Sequence, residues 1–163
     1  MSVDRDNDSL LSHFRCCLAR QAQTEHRAIL GRYGVEPGSY YLVACRIEPE
    51  NNIDVIIREF ERSETDARLL IAGGANYESA YIDALKSTTD PRIRFLGPVY
   101  EPGHIEALHL GCRGYFHGHE VGGTNPSLLK AMGCGNVVLA HDVRFNQDLA
   151  EDLFTIRKLE KGP

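Results

Sequence analysis

Residues 40–74 read YYLVACRIEPENNIDVIIREFERSETDARLLIAGG, and this stretch decides the fold. Tyr40 to Cys45 is a short apolar run, the pattern of a strand buried on both faces of a parallel sheet. Ile53, Ile56, Ile57 and Phe60 follow at successive intervals of three, one and three residues and share one helical face. Arg68 to Ala72 is a second apolar run, ended by Gly73-Gly74. Strand, helix and strand joined by short links make one βαβ unit.

Working outward, the same alternation continues to the C-terminus. A helix is expected over Glu78–Lys86, a third strand over Arg92–Leu96 closed by Gly97-Pro98, and a third helix over Pro102–Leu110. A fourth strand covers Gly114–His117, a fourth helix Pro126–Met132 and a fifth strand Asn136–Ala140. A short helix near Arg144–Ala150 and a strand at Leu153–Ile156 complete the series. Toward the N-terminus, Ser9 to Tyr33 has a helical pattern whose polar part, 19–27, reads as exposed or frayed; residues 1–8 read as a disordered arm. Gly34 fits a helix stop and Pro37-Gly38 a turn. The expected organisation is therefore an N-terminal polar arm and helix over 1–33, then one α/β domain over 34–163. That domain is a Rossmann-like, doubly wound parallel sheet with helices on both faces. Ligands of such sheets bind beyond the carboxyl ends of the strands. The candidate loops are Arg46–Asn52, Gly73–Tyr77, Gly97–Glu101 and Gly118–Asn125, where the glycines also concentrate.

Composition bounds the function. At 163 residues a chain buries about 68–70% of its unfolded surface and needs no disulfide or metal staple. The net charge of −5 argues against a generic nucleic-acid or anionic-membrane binder, which needs clustered Lys and Arg. The five cysteines are odd in number and lack zinc-like spacing, which fits a reducing cytoplasm. Met1 to Leu10 is polar, so no signal peptide is expected, and no apolar run approaches the ~18 residues of a membrane span.

The strongest local signal is His117-Gly-His-Glu-Val-Gly-Gly-Thr-Asn-Pro-Ser127, which follows a strand and opens a helix. Thr124 or Asn125 suits the N-cap and Pro126 the first helical position. Gly122 and Gly123 let a ligand approach the backbone, and the helix N-terminus favours an anion such as phosphate. A tight turn without a ligand is the plainer alternative. Arg46, at a strand end, either holds phosphate oxygens in a bidentate manner or pairs with Glu48 or Glu50. His117 and His119 allow a metal site, but no complete ligand set accompanies them, and His117 reads better as packed at a strand end. His119 and Glu120 are the candidate catalytic groups: the first as a donor or base, the second bonding sugar hydroxyls or simply solvated. Lys130, one turn into the helix, is a solvated residue or a second cation over the anion site. No G-x-G-x-x-G follows the first strand, so a nicotinamide-binding domain is disfavoured.

The runs YYLVACRIEPENNIDVIIREF, LLIAGGANY, RIRFLGPV and YFHGHEVGGTNPSLLKAMGCGNVVLAHDVRFNQDL resemble the C-terminal domain of family 4 glycosyltransferases over roughly residues 28–156. The likeness is to a rhamnosyltransferase-like branch carrying H-G-H-x-V-G-G-T-N-P-S-L-L-E-A-M. The resemblance implies one half of a GT-B fold, with a nucleotide diphosphate sugar, most plausibly dTDP-rhamnose, as donor. It implies no metal or other cofactor, and a cell-surface glycan as product. Arg46 matches the strand-end arginine that neutralises the diphosphate, and Asn51 stands where many relatives carry lysine. Gly122, Gly123, Thr124 and Asn125 match the phosphate- and sugar-binding loop, and Gly97, Pro98 and Val99 the loop that holds the base. Lys130 departs from the pattern: it occupies the position of the glutamate that grips the ribose, and a cation accepts no hydrogen bond. An N-terminal acceptor domain is expected as partner, since half a cleft transfers sugar poorly. The intact enzyme would be cytoplasmic or membrane-peripheral. The alternative is a non-catalytic interaction module that has lost donor binding and self-associates through its exposed cleft face.

Overall fold

A computed structural model describes residues 24–75, 80–121, 125–141, Val143 and Asn146. Its elements are α1 over 24–32, β1 (Tyr40–Ala44), a 3-10 turn (Pro49–Asn51), α2 (Ile53–Glu61), β2 (Arg68–Ala72), α3 (Ala80–Lys86), β3 (Ile93–Gly97), α4 (His104–Gly111), β4 (Gly114–His117), α5 (Pro126–Gly133) and β5 (Val138–Ala140). The order in the sheet is β3-β2-β1-β4-β5, and every pairing is parallel. The expected α/β, Rossmann-like doubly wound sheet is therefore present.

Alternation along the strands assigns the two faces, because neighbouring side chains leave a strand on opposite sides. Tyr40, Leu42 and Ala44 of β1, Leu70 and Ala72 of β2, Tyr115 of β4 and Val138 and Ala140 of β5 pack with Leu30, Leu108, Leu128 and Ala131 of α1, α4 and α5. On the other face Val43, Leu69, Ile71 and Ile93 meet Ile53, Ile56, Ile57 and Phe60 of α2 and Ile82 and Leu85 of α3. The apolar stripe expected from the spacing of α2 is the buried one. Two buried phenols fasten these layers: Tyr40 donates to the Leu108 carbonyl at 2.8 Å, and Tyr115 to the Ala44 carbonyl at 3.1 Å.

The boundaries differ from the expected ones by a residue or two. β5 begins at Val138 and α4 at His104, since helix and strand ends are set by tertiary contacts that a pattern does not carry. The polar stretch 24–27 is helical rather than frayed. His26 Nε2 lies 2.7 Å from the Ala107 carbonyl, and Tyr33 Oη lies 2.8 Å from His104 Nδ1, so α1 is fastened to α4. The arm over 1–8, the start of the first helix, the helix at Arg144–Ala150 (Asn146 apart) and the strand at Leu153–Ile156 lie outside the described residues. No described helix is long and apolar enough to cross a membrane.

Candidate functional site

The strand order reverses between β1 and β4, which leave the sheet centre toward loops 45–52 and 118–125. A crevice opens at such a reversal. Here its two walls are stitched together by backbone. Asn52 donates Nδ2 to the Gly118 carbonyl at 2.8 Å, and the Glu120 N–H donates to the Glu50 carbonyl at 3.0 Å. Gly118 lies so close that a Cβ there would stand 2.1 Å from the Asn51 carbonyl oxygen. On the other side of β1, the Ile47 N–H donates to Gly74 at 3.0 Å and the Gly73 N–H to Gly97 at 2.9 Å. The carboxyl ends of four strands thus form one continuous floor.

Above that floor is a cavity of about 440 Å³. Arg46, Gly73, Gly74, Pro98, Val99, Tyr100, Ile105 and Ser127 line it. Arg46 is exposed, and among the described residues its guanidinium makes no ion pair; the pairing with Glu48 or Glu50 is not seen. It extends from two residues beyond β1, which ends at Ala44 rather than at Arg46 itself. Gly97 closes β3 with φ 72°, and Pro98 and Val99 follow it into the cavity wall. A second cavity, of about 650 Å³, shares Gly73, Gly74 and Pro98 with the first.

The remaining candidates fall into distinct places. Asn51 is buried and donates Nδ2 to the Arg46 carbonyl at 2.7 Å, so its amide holds the Arg46 loop in shape. Asn125 is the N-cap of α5: its Oδ1 accepts the Ser127 N–H at 3.0 Å, and Pro126 follows at the first helical position. Asn125→Ala should therefore lower stability by about 1 kcal/mol, the usual worth of such a cap, measurable by urea unfolding. Gly122, Gly123 and Thr124 lie outside the described residues. Glu120 opens onto a different cavity, beside Glu50, Asp54 and Tyr81, with its Oε2 3.7 Å from His141 Nε2. Lys130 is ion-paired with Glu106 of α4, at the edge of the helix pair rather than in the cavity wall. An exposed pair of this kind contributes about 0–1 kcal/mol.

His117 is fully buried, and His119, half-buried, stacks on it with ring centroids 4.3 Å apart and planes 14° from parallel. Burial lowers both pKa values, that of His117 to about 3, and His119 is lowered further by the neighbouring Arg46 charge. Both rings are thus neutral at pH 7. Stacked rings do not converge on a shared ion, and among the described residues no three His, Cys, Asp or Glu side chains are grouped to hold a metal. Cys45, beside Arg46, is an inert thiol that burial pushes up to about 12.

Arg46, Pro98 and Val99 are thus brought to one cavity, with His119 beside Arg46. Tyr100, in the expected loop Gly97–Glu101, lines the same cavity, as do Ile105 and Ser127, to which the sequence assigns no site role. Ser127 was open to discovery, since a hydroxyl one residue beyond an Asn-Pro start lies in the first helical turn. Ile105 was not, because its pattern is that of any core position.

The model of the family Glycosyl transferases group 1 matches residues 38–156. The chain belongs to that family. Among curated proteins nothing matches. Among solved structures it is similar to the Anabaena protein HepE in complex with UDP and glucose, at 19% identity and TM-score 0.70 over 83% of this chain and 40% of that one. It is also similar to the C-terminal domain of the group 1 protein LpcC from Francisella tularensis, at 14% identity and TM-score 0.66 over 82% and 74% of the two chains. A third is the pneumococcal O-GlcNAc transferase GtfA in complex with UDP and GlcNAc, at 17% identity and TM-score 0.59 over 76% and 25%. The chain spans 40% of the length of the Anabaena structure. These likenesses place its sheet in one half of a GT-B glycosyltransferase fold.

Proposed function

We propose that this group 1 glycosyltransferase chain is a donor-binding domain whose cavity takes the nucleoside diphosphate of a nucleotide sugar. One observation carries the reading: an exposed arginine, with no ion pair among the described residues, lines the same cavity as Ser127 in the capped start of α5, at the point where the strand order reverses. Arg46 neutralises the diphosphate by charge-assisted bonds. The helix start adds the positive end of its dipole. The apolar wall of Pro98, Val99 and Ile105 receives the base. A guanidinium and a helix start supply the positive charge, so the reading needs no metal.

The donor is a dTDP-sugar such as dTDP-rhamnose, and the product belongs to a cell-surface glycan. Deoxyribose presents one hydroxyl fewer than ribose, so Lys130 in place of a carboxylate forfeits less with dTDP than with UDP. Transfer itself requires a second, acceptor-binding domain, because catalysis in a two-sided cleft comes from positioning between the halves. UDP-sugars remain the comparison, since UDP complexes occur among the structural neighbours.

Calorimetric titration with dTDP, dTDP-rhamnose, UDP and UDP-glucose tests this. We expect binding, with dTDP at least equal to UDP. Arg46→Ala should weaken it roughly 10- to 100-fold, the worth of one or two bonds to a charged group. A chain that binds none of the four, and elutes from a sizing column as a concentration-dependent oligomer, would instead be a non-catalytic interaction module.

A further inference from the structure

Four aromatic rings follow one another beside β4. His109 and Tyr115 are 5.0 Å apart between centroids, Tyr115 and His117 5.9 Å, and His117 and His119 4.3 Å. The first three are fully buried, and the row ends at half-buried His119, next to the Glu120 N–H that bonds the Glu50 carbonyl across the crevice walls. The plane of the His119 ring is thus fixed from below. Its backbone is fixed as well: fully buried Asn146 donates Nδ2 to the His119 carbonyl at 3.2 Å and to the His141 carbonyl at 2.9 Å.

The two nitrogens of His119 differ. Among the described residues Nδ1 is enclosed and has no hydrogen-bond partner; the nitrogens of His117 beneath it lie near the Asn146 side chain but make no bond of ordinary geometry. Nε2 is not orphaned in this way: it reaches solvent or a partner. A proton on Nδ1 would be a buried donor with nothing to receive it, and orphaned buried donors are the kind proteins avoid most. The single proton of the neutral ring therefore belongs on Nε2, where water or a ligand accepts it. A second proton is opposed by burial and by the Arg46 charge; Glu50 works the other way. The neighbouring His117 ring is neutral and offers no charge.

We infer that His119 serves the crevice as a neutral, pre-oriented Nε2–H donor to an oxyanion held at Arg46, and not as a general base. A base needs its lone pair toward the substrate; here the lone pair is the enclosed one. The fixed ring plane means that little orientational freedom is lost when the ligand arrives. That the oxyanion is a phosphate oxygen of a nucleoside diphosphate rests on the donor-site reading above.

Two measurements separate the claims. In the free chain, two-bond proton–nitrogen NMR should show the Nε2-protonated tautomer of His119, unchanged from pH 8 to pH 6. A proton on Nδ1, or titration near the ordinary histidine value, overturns the inference whether or not a nucleotide binds. In calorimetry with UDP, His119→Asn, whose amide falls near the Nδ1 position, should bind about tenfold or more weakly. His119→Gln, whose amide falls near Nε2, should recover most of that loss. Equal losses in both variants, or none in either, refute the donor role. Failure of the unaltered chain to bind UDP, with the Nε2 tautomer present, removes the nucleotide as ligand and leaves the histidine's protonation state established.

Discussion

Gly73→Ala should destabilise the chain by about 3–4 kcal/mol and abolish nucleotide binding, the largest effect expected of any single methyl group here. Two costs add. Gly73 has φ 147°, which L side chains rarely adopt. A Cβ there would also stand 1.7 Å from the Cys45 carbonyl oxygen and 2.9 Å from its carbon. Backbone, unlike a side-chain tip, has no rotamer into which to retreat. Relief requires β1 and β2 to part where they are joined by the Cys45 N–H to Ala72 at 3.1 Å and the Ile47 N–H to Gly74 at 3.0 Å. Arg46 lies between those two bonds, so the strain is delivered to the residue proposed to hold the diphosphate. Gly118→Ala should act similarly across the β1–β4 wall, pushing on the Asn51 carbonyl and loosening the Asn52–Gly118 bond. Gly31→Ala is the control. It lies in α1 with open space around it, and should be neutral or stabilising by up to about 1 kcal/mol. Urea midpoints of the three variants decide the matter; a Gly73→Ala midpoint equal to that of Gly31→Ala would show that the floor yields without cost.

These contacts mark the limit of what the sequence discloses. The strands of residues 40–74 were legible because a buried parallel strand must be apolar and an amphipathic helix must repeat. The cap at Asn125 was legible because Asn-Pro at a helix start has a local reason. Arg46 was legible as an isolated cation at a strand end. The work of Asn51 and Asn52 was not. Both side chains are spent on backbone carbonyls, one five residues back and one 66 positions on, and nothing in an Asn-Asn pair separates that from contact with a ligand. Gly73 likewise reads as an ordinary strand stop. The need for glycine arises from a carbonyl 28 residues earlier in the chain, and only the folded sheet brings the two together. Lys130 illustrates the reverse case: its chemistry was clear, but its partner Glu106 lies on another helix.

Acidification should destabilise the chain well before its carboxylates titrate, and His117 should be the main cause. Its pKa falls to about 3 in the fold because burial, and then the adjacent His119, oppose a charge there. The unfolded chain takes up that proton near the ordinary value of ~6.5. Between those limits the unfolded state binds more protons than the folded one, so stability rises with pH and is lost as pH falls. The loss approaches about 1.4 kcal/mol per pH unit below 6.5, or roughly 3 kcal/mol by pH 4.5. His119 and His109, also lowered by burial, act in the same direction. Asp90 and Glu106, held low by Arg92 and Lys130, lose their contribution only below about pH 4, so the window from 6.5 to 4.5 belongs to the histidines. His117→Phe isolates the cause. It keeps a flat ring in the row between Tyr115 and His119 and removes two buried nitrogens that make no bond of ordinary geometry among the described residues, at the cost only of their weak contact with Asn146. Replacing unsatisfied polar atoms by an apolar group of similar shape is nearly neutral or stabilising. At pH 7 the variant should therefore match or exceed the parent, and between pH 6.5 and 4.5 it should lose much less. A variant whose urea midpoint falls as steeply as the parent's would mean that His117 is not the group that resists the proton.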